Sequence, residues 1–180
     1  MRRIIVGEFI TLDGVVESPE NWNFPYFNDE MGQAVGSLMA AADTLLLGRV
    51  TYQTFAGAFS GAGSEDPVAA QMNSVDKVVV STTLPSADWE NSTLISDNVV
   101  REIKKLKKRR GKDIAVNGSI TLVQSLLREG LVDELNLLVH PTAVGTGRRL
   151  FEEGVEQIPL KLVSSATFST GVLHVVYQVV

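Results

Sequence analysis

Short β-branched and apolar runs alternate with longer segments of helical periodicity along the first 140 residues, and that alternation leaves few folds open to the chain. Residues 4–10 read as a strand, and Thr11-Leu12-Asp13-Gly14 as the tight turn that follows it. Residues 17–27, with Pro19 and Pro25, read as irregular. From Asn28 onward, Met31, Val35, Leu38, Met39 and Ala42 recur at helical spacing behind Asp29 and Glu30, which suit a first turn. That helix, about four turns long, is expected to end near Asp43. Further strands are expected at residues 44–47, 78–81, 114–116 and 135–140, and further helices at 51–59, 98–110 and 120–129. Strands separated by helices of roughly 10 to 15 residues imply βαβ crossovers and a mainly parallel sheet. The C-terminal segment breaks the pattern: residues 161–168 and 172–180 are strand-like runs around Ser169-Thr170-Gly171, read as an antiparallel hairpin added to the sheet edge. The expected fold class is therefore α/β, a mainly parallel central sheet with flanking helices and a C-terminal antiparallel hairpin. A chain of 180 residues fits one domain, 1–180, around one sheet.

Composition excludes several kinds of chemistry. With no cysteine there are no disulfides, thiolate metal sites or cysteine nucleophiles, which fits a reducing compartment, so a cytoplasmic location is expected. Met1-Arg2-Arg3 ahead of Ile4-Ile5-Val6 looks briefly like a signal peptide, but Gly7-Glu8 ends the apolar run far short of one. No stretch approaches the roughly 20 apolar residues of a membrane span, and no membrane partner is expected. The net charge of −5 argues against nucleic acid as a main partner. One segment dissents, with eight basic residues between Arg101 and Lys112 against the single acid Glu102. Val99, Val100, Ile103 and Leu106 give that segment an apolar stripe, so its charged side is read as a solvated face, with nucleic-acid contact the lesser alternative. The chain has no Gly-x-Gly-x-x-Gly after a strand, no P-loop, no His-Glu-x-x-His and no Gly-x-Ser-x-Gly. Its two histidines, His140 and His174, lie far apart in strand-like runs, so no metal site is expected, and His140 before Pro141 reads as a strand-end residue rather than a base.

Ligands of an open α/β sheet sit beyond the carboxyl ends of its strands. Four polar, mostly glycine-containing segments fall at that position: Leu12-Asp13-Gly14, Gly48-Arg49-Val50-Thr51, Ser81-Thr82-Thr83 and Asn117-Gly118-Ser119. Glycine and a polar residue at a helix start let the backbone approach an anion, and free N–H groups there favour negative charge. Two such starts on one edge suit a pyrophosphate with a further phosphate. Each also has an ordinary alternative: Gly118 fixing a turn, Ser119 capping a helix, Arg49 pairing with an acid. Trp22, Phe24, Tyr26 and Phe27 place four aromatics within six residues of an irregular loop. They suit either a flat pocket for a heterocycle or an apolar plug over the sheet. Asp13 is placed to orient or protonate a ring nitrogen, or else to hold the turn before Gly14.

Residues 4–17 (IIVGEFITLDGVVE), Trp22 to Tyr26, Leu46-Leu47-Gly48-Arg49-Val50-Thr51-Tyr52, residues 77–84 (KVVVSTTL) and Gly130-Leu131-Val132-Asp133-Glu134-Leu135 resemble the dihydrofolate-reductase-like family. More narrowly, the chain is similar to stand-alone relatives of the reductase domain of the bacterial bifunctional riboflavin-biosynthesis deaminase-reductase. The resemblance implies a dihydrofolate-reductase-like three-layer fold and a reductase that passes hydride from NADPH to a small heterocyclic substrate. Carried over by position, it implies that Leu47, Gly48, Arg49 and Thr51 meet the phosphates. Ser81, Thr82 and Thr83 would lie by the adenosine ribose and its 2′-phosphate, and Asn117, Gly118, Ser119 and Ile120 would carry the pyrophosphate. Asp13 as the catalytic group and Gly14 would face the nicotinamide and substrate, with Trp22, Phe24, Phe27 and Tyr52 around the substrate. Relatives show two glycines where this chain has Asn117-Gly118, which implies a less open loop. The deaminase half needs cysteine ligands to zinc, so only reduction remains. A substrate carrying a ribose phosphate would call for another cationic group, for which Arg148-Arg149 is the candidate. The competing readings are dihydrofolate or pteridine reduction, and a nucleotide-binding module without turnover. The apolar hairpin suggests a homodimer.

Overall fold

The computed structural model describes residues 1–63 and 65–180. Five strands follow the N-terminal strand β1 (Ile4–Thr11) with parallel pairing: β2 (Ala42–Gly48), β3 (Asp76–Val80), β4 (Ser92–Ile95), β5 (Asp113–Asn117) and β6 (Glu134–His140). The hairpin β7 (Leu160–Thr167) and β8 (Leu173–Val179) joins antiparallel, giving one eight-stranded sheet in the order β4-β3-β2-β5-β1-β6-β8-β7. The helices are α1 (Asp29–Ala41), α2 (Arg49–Phe59), α3 (Pro67–Ser74), α4 (Val99–Lys108) and α5 (Ile120–Arg128).

Strand parity decides which helix covers which face. Leu46, Val78, Ile114 and Val116 join Ile4, Val6 and Ile10 on the side of Ile103 and Leu106 of α4 and Leu122, Val123 and Leu126 of α5. Their neighbours Leu45, Leu47, Val79 and Ala115 point the other way, to Tyr52 of α2, Met72 of α3 and Trp89. A smaller cluster of Met31, Leu138, Phe168 and Val172 seats α1 against the hairpin end. Central parallel strands are buried on both faces, hence their unbroken apolar runs. The three-layer α/β fold with its terminal hairpin is as the sequence led one to expect.

Two elements were not foreseen, α3 and β4. Helix α3 has eight residues, of which only Ala69 and Met72 are buried, too few for a periodic signal, and it starts at Asp66-Pro67 through a side-chain cap. Strand β4 is four residues long, half of them hydroxylated, on the sheet edge. The Asn117 turn thus follows the fifth strand, not the fourth. Helix α4 has the solvated basic face that its pattern suggested: Arg101, Lys104, Lys105 and Lys108 are exposed, while Lys107 turns inward to the Leu131 carbonyl and Asp133. Among the described residues no helix is long and apolar enough to cross a membrane.

Candidate active site

Register sets three of the four polar loops level and puts the fourth, after β1, four residues further out, since β1 runs on from Gly7 to Thr11. Gly48 pairs with Val80, and Gly7 of β1 pairs with Asn117, so the loops after β3, β2, β5 and β1 line the sheet edge in that spatial order. The two central loops are knotted together by hydroxyls. Ser119 Oγ accepts from the Gly48 N–H at 2.9 Å, and Thr51 Oγ1 accepts from the Ser119 N–H at 3.0 Å. Each hydroxyl keeps its own proton to donate elsewhere. Gly118 and Ser119 both lie in the left-handed region, at φ +61° and +59°, and a Cβ on Gly118 would come 3.4 Å from Thr51 Oγ1.

That knot has a consequence for the helix starts. Asn28 caps α1 and Asp66 caps α3 with side-chain oxygens, whereas α2 and α5, like α4, begin without one. Leading N–H groups of α2 and α5 therefore stand next to each other with no side chain to satisfy them, which suits an anion. Arg49, on the first turn of α2, is exposed; among the described residues it pairs with no acid and reaches Gln53 at 3.2 Å. Ser81 is buried, its Oγ accepting from Thr83 N (3.2 Å) and Leu84 N (3.1 Å), and this bends the loop so that Thr82 and Thr83 are exposed. Leu47 and Ile120 turn their side chains to the two cores, which leaves only their backbone to face the edge.

At the other end of the edge, the Asp13 carboxylate accepts from Thr11 Oγ1 (2.5 Å), Gly145 N (2.8 Å) and Val144 N (3.3 Å). The Thr11 hydroxyl foremost, with the Gly145 amide, brings its pKa down to about 2. Asp13 is thus an anion at neutral pH, engaged in tying residues 144–145 to the β1 tip, and it has no proton to give there. Gly14 (φ +87°) closes the turn onto Thr11 O. Arg149 donates to the Asp13 carbonyl at 3.0 Å, and Arg148 reaches Thr121 on the first turn of α5 at 2.9 Å.

Both readings of the aromatic loop have a share in the structure. Trp22, Tyr26 and Phe9 surround the fully buried His140 edge-on, with ring centroids 5.0, 5.7 and 5.7 Å away. His140 Nδ1 bonds to the Leu138 carbonyl at 2.8 Å, and burial pushes its pKa down, so the ring is neutral. Trp22 and Tyr26 form a plug, while Phe24 and Phe27 are 73% and 52% exposed beside it. Tyr52 is not among them. It lies in the core under α2, its hydroxyl accepting from Trp89 N at 2.9 Å, on the strand side opposite α5. Helical phase explains the difference: adjacent residues point about 100° apart, so Thr51 faces the edge and Tyr52 the core.

One site residue escaped the sequence reading. Glu8 interrupts the apolar β1 run and is 6% exposed, next to the Asn117-Gly118 turn. The signal was present, since a carboxylate within a strand buried on both faces has to be accounted for. Among the described residues no cluster of three or more His, Asp and Glu suited to a metal occurs.

The sequence profile of the RibD C-terminal domain matches residues 2–174. This chain belongs to the RibD C-terminal domain family. It is 34% identical to the Bacillus subtilis (strain 168) protein YyaP, described as uncharacterized, over 98% of this chain and 95% of that one. A putative riboflavin biosynthesis protein from Shewanella sp. PV-4 superposes with a TM-score of 0.79 at 21% identity, covering 99% of both chains. A pyrimidine reductase-like protein from Corynebacterium diphtheriae superposes at 0.68 and 13% identity, covering 99% of this chain and 92% of its own. Both structures share the fold of this chain.

Proposed function

We propose that the protein is a reductase that lays NADPH along the β3-β2-β5-β1 edge and passes hydride to a small heterocyclic substrate held at the β1 end. One observation carries the reading: the Gly48–Ser119–Thr51 knot holds the uncapped starts of α2 and α5 next to each other, where one anion can meet both. Residues on this edge fit the dinucleotide. The backbone N–H groups that open α5 from Ile120 onward, with the Thr51 and Ser119 hydroxyls, hold the pyrophosphate; Arg49 with Thr82 and Thr83 takes the 2′-phosphate beside the adenosine. Asn117 lies under the turn, and Gly14, Phe24 and Phe27 border the substrate end. Asp13, as an anion, orients the loop and a ring N–H of the substrate instead of protonating it. Arg148, at the first turn of α5, is the cation for a phosphate on the substrate. When bound, the nicotinamide supplies the reactive hydride, and the protein's contribution is position. RibD C-terminal membership, and the riboflavin biosynthesis and pyrimidine reductase descriptions of structural neighbours, agree with this chemistry. Titrating the protein with NADPH and following nicotinamide fluorescence is the test. Saturable binding is expected with Kd at or below about 100 μM, inside the usual range for enzyme substrates, and tighter for NADPH than for NADH because of Arg49. No binding at that concentration overturns the proposal.

The partner we assign is a second copy of the chain, docking on the hairpin. Strand β7 is exposed along its whole length and ends the sheet, with Leu162 and Val163 51% and 57% exposed. An exposed edge strand with apolar side chains of this kind calls for a cover, and a two-fold dimer supplies one. Light scattering is expected to give twice the chain mass, reverting to the monomer in Val163→Lys; a monomeric native protein refutes the dimer.

A further inference from the structure

Glu8 is a buried carboxyl to which the chemistry above gives no task. It lies on β1 opposite Leu137 of β6, one residue past Gly7, where the β1–β5 pairing stops at Asn117 and the Gly118 turn begins. Its buried carboxyl meets the Gly118 amide of that turn. Oε1 is buried with no hydrogen-bond partner, and the one group favouring the charged form is the Gly118 amide. Among the described residues no cation reaches it. Ionisable groups on the surrounding elements are engaged elsewhere: Asp113 of β5 and Glu134 of β6 with Arg3, His140 with the Leu138 carbonyl, Arg128 of α5 with Glu152, Arg148 with Thr121, Arg149 and Asp13 at the β1 tip. A structural carboxylate in a sheet interior would be expected to have an arginine, a lysine or a set of amides around it. Here there is one amide and one orphaned oxygen, beside a turn built to approach an anion.

We infer that Glu8 is a ligand-binding group of this edge, a buried carboxyl beside the Gly118 turn whose free oxygen hydrogen-bonds to the anion seated on that turn. Burial pushes its pKa well above the usual carboxylate range, which keeps the proton available for the bond. Loss of that proton would place a negative charge directly beneath a phosphate. Ligand binding and proton retention are therefore coupled: the ligand raises the Glu8 pKa further, so affinity is full below the pKa of the free protein and falls above it. With NADPH as the ligand the inference rests on the reductase reading; with a simple anion it does not.

The experiment measures NADPH and NADH affinity by fluorescence from pH 6 to 9 in the native protein, Glu8→Gln and Glu8→Met, with thermal melts to show that each variant folds. NADH lacks the 2′-phosphate, whose own titration would tilt the NADPH curves. In the native protein affinity is expected to weaken as pH rises, by up to about tenfold per pH unit, the limit for one coupled proton. Glu8→Gln keeps shape and a donor, and is expected to bind with no such slope; Glu8→Met is expected to be both flat and weaker at pH 6. Parallel native and Glu8→Gln profiles, or a flat native profile, overturn the assignment while leaving the reductase reading intact. Inorganic pyrophosphate, followed by its shift of Tm, separates the remaining outcome. If NADPH does not bind but pyrophosphate stabilises the native protein with a pH slope missing in Glu8→Gln, the reductase reading falls and Glu8 stands. If neither ligand binds at any pH, both fall.

Discussion

Gly118→Val is expected to weaken NADPH binding by roughly 30- to 100-fold while the protein still folds. Gly118 sits at φ +61°, a region that costs an L-residue about 1 to 2 kcal/mol, and more when it is β-branched. The new Cβ would also come within 3.4 Å of Thr51 Oγ1, the atom that accepts from Ser119 N. Valine has two further carbons there, so the turn must rotate or Thr51 must leave the knot. In either case the N–H groups at the start of α5 lose their shared direction. One misdirected hydrogen bond to a phosphate is worth about 1.5 to 3 kcal/mol, more than a tenfold loss. Gly36→Ala is the control: it lies within α1, nothing stands within 4 Å of its new Cβ, and affinity is expected to be unchanged with slightly higher stability. Fluorescence titration and thermal unfolding of both variants decide the matter. A Gly118→Val protein that binds NADPH within about threefold of the native Kd contradicts the assignment of this turn to the pyrophosphate.

The edge was legible for a physical reason. Leu45, Leu46 and Leu47 form a run with no polar face, which only a strand buried on both sides tolerates, and Gly48-Arg49 ends it abruptly. Ile114, Ala115 and Val116 run into Asn117-Gly118 in the same way. Parallel pairing then puts all such endings on one edge. Pairwise matters were out of reach. Nothing in the sequence says that Ser119 would bond to Gly48 instead of capping its own helix, or that Asp13 would face the amides of residues 144 and 145, some 130 positions away. The resemblance placed Tyr52 around the substrate, but a single helical step from Thr51 carries it into the core. His140 reads as a strand end, and it is one, but the three rings that enclose it come from β1 and the aromatic loop, a contact with no local trace. Glu8 was visible as an anomaly and lacked only the neighbour that gives it meaning, the Gly118 amide.

Leu135→Ala and Leu45→Ala are each expected to destabilise the protein by about 3 kcal/mol, within the range for deleting a buried leucine from a tight core. Both side chains are buried, at 0% and 1% exposure. Leu135 belongs to the cluster under α4 and α5, and Leu45 to the one under α2 and α3, on opposite faces of the same sheet. For a chain of this size such a loss lowers Tm by roughly 6 to 12 °C. Because the two clusters share no side chain, the double variant should lose the sum of the two within about 0.5 kcal/mol. Each single variant should still melt in one transition, since β2, β3 and β5 carry residues of both clusters on alternate positions and cannot release one face while keeping the other. Two separated transitions in Leu45→Ala would mean instead that the β4-β3-β2 flank, and with it Gly48, Arg49 and Ser81, opens independently of β1 and β6. The cofactor edge would then be assembled from two units that move apart, and NADPH would have to stabilise their closure as well as fill the site.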